Sequence, residues 1–145
     1  MTGVLLDGSL SMDVLNVEER PFDGMDLEEA VLLAGHQVIG WATTLRNAMA
    51  LVEARRADLA FVGQRLRDGD TGIELSRRLS ECGIPVVITT AHPDQVGSLE
   101  HVLGVLPKPF ALETVQQVID YAAQKAEGSD AEPNTVTQPP LKSNE

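Results

Sequence analysis

The stretch DLAFVGQRLRDGDTG, residues 58–72, carries the decision about the fold. Residues 59–62 are a short apolar run of strand length, and residues 64–72 are a turn rich in Gly and Asp. A buried parallel strand ending in such a loop delivers side chains to the tip of a sheet, where ligands of open α/β sheets bind. At that tip stands Gly63, which has no side chain to deliver.

Outward from this strand, short apolar runs alternate with helical patterns. That alternation predicts an α/β fold, a doubly wound five-stranded parallel sheet in three α/β/α layers. The first strand is DVLNV (13–17). Pro21 then opens a helix at a position where its missing N–H costs nothing, and Leu27, Ala30, Val31 and Ala34 form its inner stripe before Gly35. QVIGW (37–41) is the second strand, followed by a helix over 44–55 with Leu45, Ala48, Met49 and Val52 inward. A third helix over 73–82 stops at Gly83, and VVIT (86–89) is the fourth strand. After TAHPD only a short or frayed helix fits, because Gly97 interrupts it. VLP (105–107) is the fifth strand, and the last helix covers 112–126 with Val115, Val118, Ile119 and Ala122 on one face.

Composition limits the function classes. The chain has 145 residues, room for one domain with a full core. Its charge of -11 repels a phosphate backbone, and the basic residues form no run longer than Arg55-Arg56 and Arg77-Arg78, so nucleic acid is not an expected partner. Cys82 is the only cysteine, which excludes a disulfide framework and suits a reducing cytoplasm. Neither a signal peptide nor a membrane span is expected, so membranes are excluded as partners too. Residues 1–10 read as a flexible extension, 11–126 as the ordered domain, and 127–145, polar with several prolines, as a disordered tail.

The residues just past each strand are those to examine for a site. They are Glu18 and Glu19, Gly63, Thr89 and Thr90, and Lys108. Together VLNVEER, DLAFVGQRLRDGDTGIEL, VVITTA and LPKPF resemble the receiver domain of two-component response regulators, in order and in spacing. The resemblance covers nearly all of residues 13–126 and implies the flavodoxin-like (βα)5 receiver fold. In that family an aspartate at the end of strand three takes a phosphoryl group from a histidine kinase. An acidic pair holds Mg²⁺, a hydroxyl and a lysine bind the phosphoryl oxygens, and an aromatic on strand five reports the change. Carried over, the pair falls on Glu18 and Glu19, the hydroxyl on Thr90, the lysine on Lys108, the acceptor on Gly63 and the aromatic on Val105.

Two departures decide the expected function. An acyl phosphate needs a carboxylate, which Gly63 lacks, and Val105 cannot act as an aromatic rotor. The segment between Thr90 and Lys108 is also about four residues shorter than is usual in the family, by that resemblance. The expectation is a bacterial single-domain pseudo-receiver, not an enzyme, acting in phosphorelay signalling by protein–protein interaction. Its partner would be a histidine kinase, a phosphotransfer protein, another regulator or a second copy of itself. No cofactor is expected beyond at most a weak Mg²⁺ site at Glu18 and Glu19. Lys108 is the first candidate to balance the acidic pair, followed by Arg65 and Arg20.

The alternatives are catalytic. A displaced carboxylate, Asp68, Asp70 or a pocket glutamate, would keep phosphotransfer alive, although turn chemistry and capping of the third helix account for both aspartates. A nucleotide- or flavin-binding domain is remote, because VEERPFDG would meet a phosphate with negative charge. His36, His92 and His101 are scattered and predict no metal site. Asn16 is the anomaly, an amide where a central strand should be apolar, and it needs a hydrogen-bond partner on a neighbouring element.

Overall fold

The computed structural model describes residues 11–97 and 99–126. The extension at 1–10 and the tail at 127–145 lie outside the described residues. In chain order the elements are β1 (Asp13–Val17), α1 (Pro21–Leu33), β2 (Gln37–Ala42), α2 (Leu45–Ala54), β3 (Leu59–Gly63), α3 (Gly72–Glu81), β4 (Val86–Thr90), β5 (Gly104–Pro107) and α4 (Leu112–Ala126). A 3₁₀ turn, Pro93–Gln95, stands where the interrupted helix was expected.

All five strands are parallel in the order β2-β1-β3-β4-β5. This is the doubly wound sheet read from the alternation, with its switch point between β1 and β3. The three inner strands are buried at every residue, as continuous apolar runs covered on both faces must be. Two cores flank the sheet. One packs Val14, Phe61, Leu27, Val31 and Ile119 under α1 and α4, and the other packs Leu15, Val62, Ile88, Leu75 and Leu79 under α2 and α3.

Pro21 begins α1 as expected, and α4 has the predicted limits. Between β4 and β5 the chain cannot continue a right-handed helix through Gly97, whose φ is +77°. Val96, Leu99 and Val102 nonetheless pack against the core on the α2–α3 side. His101 pins this connection, with Nε2 2.8 Å from the Ser76 hydroxyl, which itself donates to Ile73 O at 2.6 Å. That hydroxyl proton is committed to a backbone carbonyl, so the pair is a structural clasp and not an activated nucleophile.

Asn16 finds the partner its burial requires. Its amide donates to Gly24 O at 2.9 Å, while its Oδ1 has no partner among the described residues. At Gly24 the absence of a side chain also matters, since a Cβ there would overlap the Trp41 indole lying across α1. No helix among the described residues is long and apolar enough to cross a membrane.

Candidate functional site

The expected residues do converge at the carboxyl ends of the strands. Glu18 prolongs β1, its N–H donating to Ala42 O at 3.0 Å, so its side chain is aimed by sheet geometry. That side chain is completely buried. One carboxylate oxygen, Oε1, lies 2.9 Å from Lys108 Nζ, and the Thr89 hydroxyl is 3.5 Å from the same atom. The other oxygen accepts the Arg20 backbone N–H at 3.0 Å, and the Trp41 indole N–H donates to Glu18 O at 2.9 Å.

Lys108 is held at the end of β5 by its own N–H, which donates to Thr90 O at 2.8 Å. The Lys108–Pro109 peptide bond is cis. The ammonium makes a second ion pair, 3.0 Å from Asp23 Oδ2. Asp23 sits in the first turn of α1, where a carboxylate also suits the helix dipole. One mostly buried cation therefore ties the tips of β1, β5 and α1 together. Burial makes the arrangement consequential, because a carboxylate withdrawn from water is tolerable only while paired and hydrogen-bonded.

Sequence reasoning missed Asp23. The signal was present in PFDG, an acid within the first turn after a helix-opening proline at the strand ends. Glu19 lines the mouth of the cleft while the ion pairs of Lys108 run to Glu18 and Asp23, so the two adjacent glutamates do not face each other across the pocket. Alternation explains the split, since successive residues leaving a strand point to opposite sides. The cleft encloses about 500 Å³.

Beside Glu18, at the end of β3, the backbone of Gly63 is ordinary strand, not among the glycines with positive φ. A Cβ added there would lie 3.3 Å from Glu18 Oε1 and 3.4 Å from Arg65 O. Gly72 closes the loop so tightly that a Cβ on it would overlap Gly63 O and Gln64 O. Its N–H donates to Gln64 O at 3.1 Å.

Arg65, expected as a balancing cation, instead pairs with Asp70 at 2.6 Å, both side chains exposed. Its loop carries it away from the floor of the cleft. Arg20 reaches Glu18 through its backbone N–H rather than its guanidinium. Asp68 does not cap α3. Its carboxylate accepts the Leu45 N–H at the start of α2 at 3.1 Å and the Thr71 hydroxyl at 2.7 Å, because the loop folds back across α2. The Thr90 hydroxyl donates to Gln64 Oε1 at 2.6 Å and accepts the His92 N–H at 2.9 Å, so it secures the β3 and β4 loops to each other. Val105 is buried in the α2–α3 core.

These donors do not fit Mg²⁺. Mg²⁺ needs near-octahedral oxygen ligands, and the Lys108 ammonium already stands between Glu18 and Asp23. Among the described residues no group of three His, Cys, Asp or Glu is placed to hold a metal ion.

No family model matches the chain. Over 121 residues it is 31% identical to the phyllosphere-induced regulator PhyR of Methylorubrum extorquens, a match covering 81% of this chain and 45% of that protein. The chain thus spans about half the length of the curated relative it matches. The PhyR receiver domain of Erythrobacter litoralis superposes with a TM-score of 0.71 at 29% identity, covering 87% of this chain and 97% of that one. The anti-anti-sigma factor PhyR of Bartonella quintana gives a TM-score of 0.72 at 28% identity, covering 81% of this chain and 49% of that one.

Proposed function

This chain carries a receiver domain of the response-regulator type, and we propose that it works as a pseudo-receiver. In this reading it signals by binding other proteins and takes no aspartyl phosphate. The observation that supports it most is the position of Lys108, whose ammonium is within 3.0 Å of both Glu18 and Asp23. A lysine neutralising the acids in place of a metal, beside a glycine with no nucleophile, would leave phosphoryl transfer neither acceptor nor metal.

Such a domain has one preferred conformation, and regulation falls to its abundance or to partner binding. The partner class is a signalling protein: a histidine kinase, a phosphotransfer protein or another regulator. The Bartonella relative, an anti-anti-sigma factor, extends that class to proteins that control sigma factors. A cytoplasmic location belongs to the same reading.

Incubation with acetyl phosphate and Mg²⁺ followed by intact-mass measurement tests it. The expected mass is unchanged. A hydroxylamine-labile phosphoryl adduct would overturn the reading and assign the acceptor to Asp68, Asp70 or Glu19.

A further inference from the structure

The amino ends of the strands, at the pole opposite the cleft, are fastened by titratable side chains. Just past α1, Gly35 turns the chain with a φ of +91°. The Gly35 N–H returns to Leu32 O at 3.0 Å and the His36 N–H to Val31 O at 3.1 Å. These two bonds are the Schellman closure of a helix, and they deliver His36 inward, where it is only 5% exposed. There His36 Nδ1 accepts the Met12 N–H at 2.8 Å, while the Gln37 N–H donates to Met12 O at 3.1 Å. One residue on, Asp58 Oδ2 accepts the Asp13 N–H at 2.8 Å. Successive amides at the entry to β1 are thus held by an imidazole and a carboxylate.

The His36 bond exists in one protonation state. A backbone N–H is always a donor, so the Nδ1 that receives it must keep its lone pair and the ring is neutral. A proton on Nδ1 would set two donors 2.8 Å apart, in a place too buried for water to replace the lost bond. His101 behaves differently. Its Nε2 faces the Ser76 hydroxyl, whose proton goes to Ile73 O, so the ring is the donor and a further proton on Nδ1 leaves that bond intact. His92 is exposed.

The charges around His36 do not compensate its cation. Asp13 is committed to the Gln37 amide at 2.6 Å and to Arg55 at 3.3 Å, and Asp58 to the Asp13 N–H. Strand β2 carries no charged residue, and the acids of α1 nearest in sequence, Glu28 and Glu29, lie about two turns back. Arg55 and Arg56 at the end of α2 would oppose a cation. From α4, which packs on α1, come Glu113, Asp120 and Lys125, all exposed. The carboxyl end of a helix favours positive charge, but Val31 O and Leu32 O already accept the closing N–H groups.

We propose that His36 is an acid-sensitive latch at the amino ends of the strands, whose protonation releases residues 11–12 from the end of α1 while the strand-end cleft stays as it is. The proposal goes beyond the pseudo-receiver reading and does not rest on it, since neither Lys108 nor phosphorylation enters. The sign follows from which form makes the bond. A hydrogen bond to the neutral ring opposes protonation in the folded chain, whereas the unfolded chain takes its proton near ~6.5. The latch contributes fully above about 6.5 and is lost as pH falls toward the lower folded-state value.

Nitrogen-15 spectra of the imidazole rings and amide exchange of the full chain, from about pH 7.5 to about 5.5, span the ordinary histidine value and test the latch. At the upper end His36 should show a bare Nδ1 and a protonated Nε2. Protection of the Met12 amide should fall several-fold on acidification, up to the roughly tenfold limit for one proton over that range. The Gln64 amide, bonded to Thr89 O beside the cleft, should keep its protection. His36→Asn offers an amide oxygen in place of Nδ1, an acceptor that does not titrate, and should make Met12 protection independent of pH. His101→Asn should leave the parent's dependence in place. A His36 ring protonated on Nδ1 at the upper end, unchanged Met12 protection across the range, or the same fall in His36→Asn would overturn the proposal. So would a dependence abolished by His101→Asn instead. If His36→Asn does not fold, the ring spectra and the Met12 amide of the parent chain decide alone.

Discussion

Two sets of polar side chains at the strand ends are satisfied in opposite ways. In the first, buried charges pair with one another, Glu18 and Asp23 sharing the Lys108 ammonium within 3.0 Å. In the second, around the end of β3, polar groups serve the loops. Arg65 pairs with Asp70, Gln64 with Thr90, and Asp68 caps α2, all around a glycine. The difference teaches that buried charges must be satisfied by one another, while exposed polar groups are free to serve the loops that carry them. A buried carboxylate cannot simply be left alone, whereas an exposed loop can be rewritten at little cost.

The comparison breaks most visibly at Lys108. Replacing it with methionine strands the completely buried Glu18 and removes the partner of Asp23. A loss of about 3–5 kcal/mol is expected, the scale for one member of a buried pair. Urea denaturation followed by circular dichroism measures it.

Gly63→Asp sharpens the contrast from the end of β3. The backbone accepts the side chain, but its carboxylate arrives next to Glu18. Without metal the variant should lose roughly 1–3 kcal/mol, the scale of a buried charged group poorly compensated. Millimolar Mg²⁺ should restore part of that loss, because binding to the folded state alone stabilises it. The parent chain should show no Mg²⁺ dependence in its urea midpoint.

Asp23→Asn asks how much the second carboxylate contributes. Its side chain is 26% exposed and asparagine keeps an acceptor, so the expected loss is about 1 kcal/mol. A loss as large as that of Lys108→Met would move the centre of the cluster from β1 to α1.

The smallest effect lies far from the cleft, on the exposed face of α3. There the Arg78 and Arg77 guanidiniums beside Glu74 hold its carboxyl below its ordinary value. A depressed folded-state pKa stabilises above the unfolded value and loses that contribution as pH falls through the folded one. The difference between the parent and Glu74→Gln in urea midpoint should be small at pH 7, shrink below about 4.5 and be weakened by salt.

Much of this was legible in the sequence because it rests on periodicity and position. Buried parallel strands must be continuous apolar runs, so β1, β3 and β4 could be placed, and Glu18, Thr90 and Lys108 stand at the strand ends where alternation puts them. Gly97 announced the interrupted helix. What was not legible depends on loop paths. The fold-back of residues 64–72 sends Asp68 to α2 and Arg65 to Asp70, and no local pattern encodes which helix a loop will cap. Asp23 was missed for a related reason, since it is distant in sequence from Lys108 and meets it only because the long lysine side chain reaches across the strand ends to the start of α1. Glu19, read with Glu18 as one acidic pair, lines the cleft, while the ion pairs of Lys108 run to Glu18 and Asp23.

The most direct measurement is a double-mutant cycle between Lys108→Met and Glu18→Gln, read by urea denaturation. If the lysine is the cation that holds the buried glutamate, the second substitution should recover much of what the first one loses. The coupling should then be well above the roughly 0.5 kcal/mol of independent sites. Additive losses would contradict the account, because Glu18 would then be balanced by something other than the ammonium 2.9 Å away.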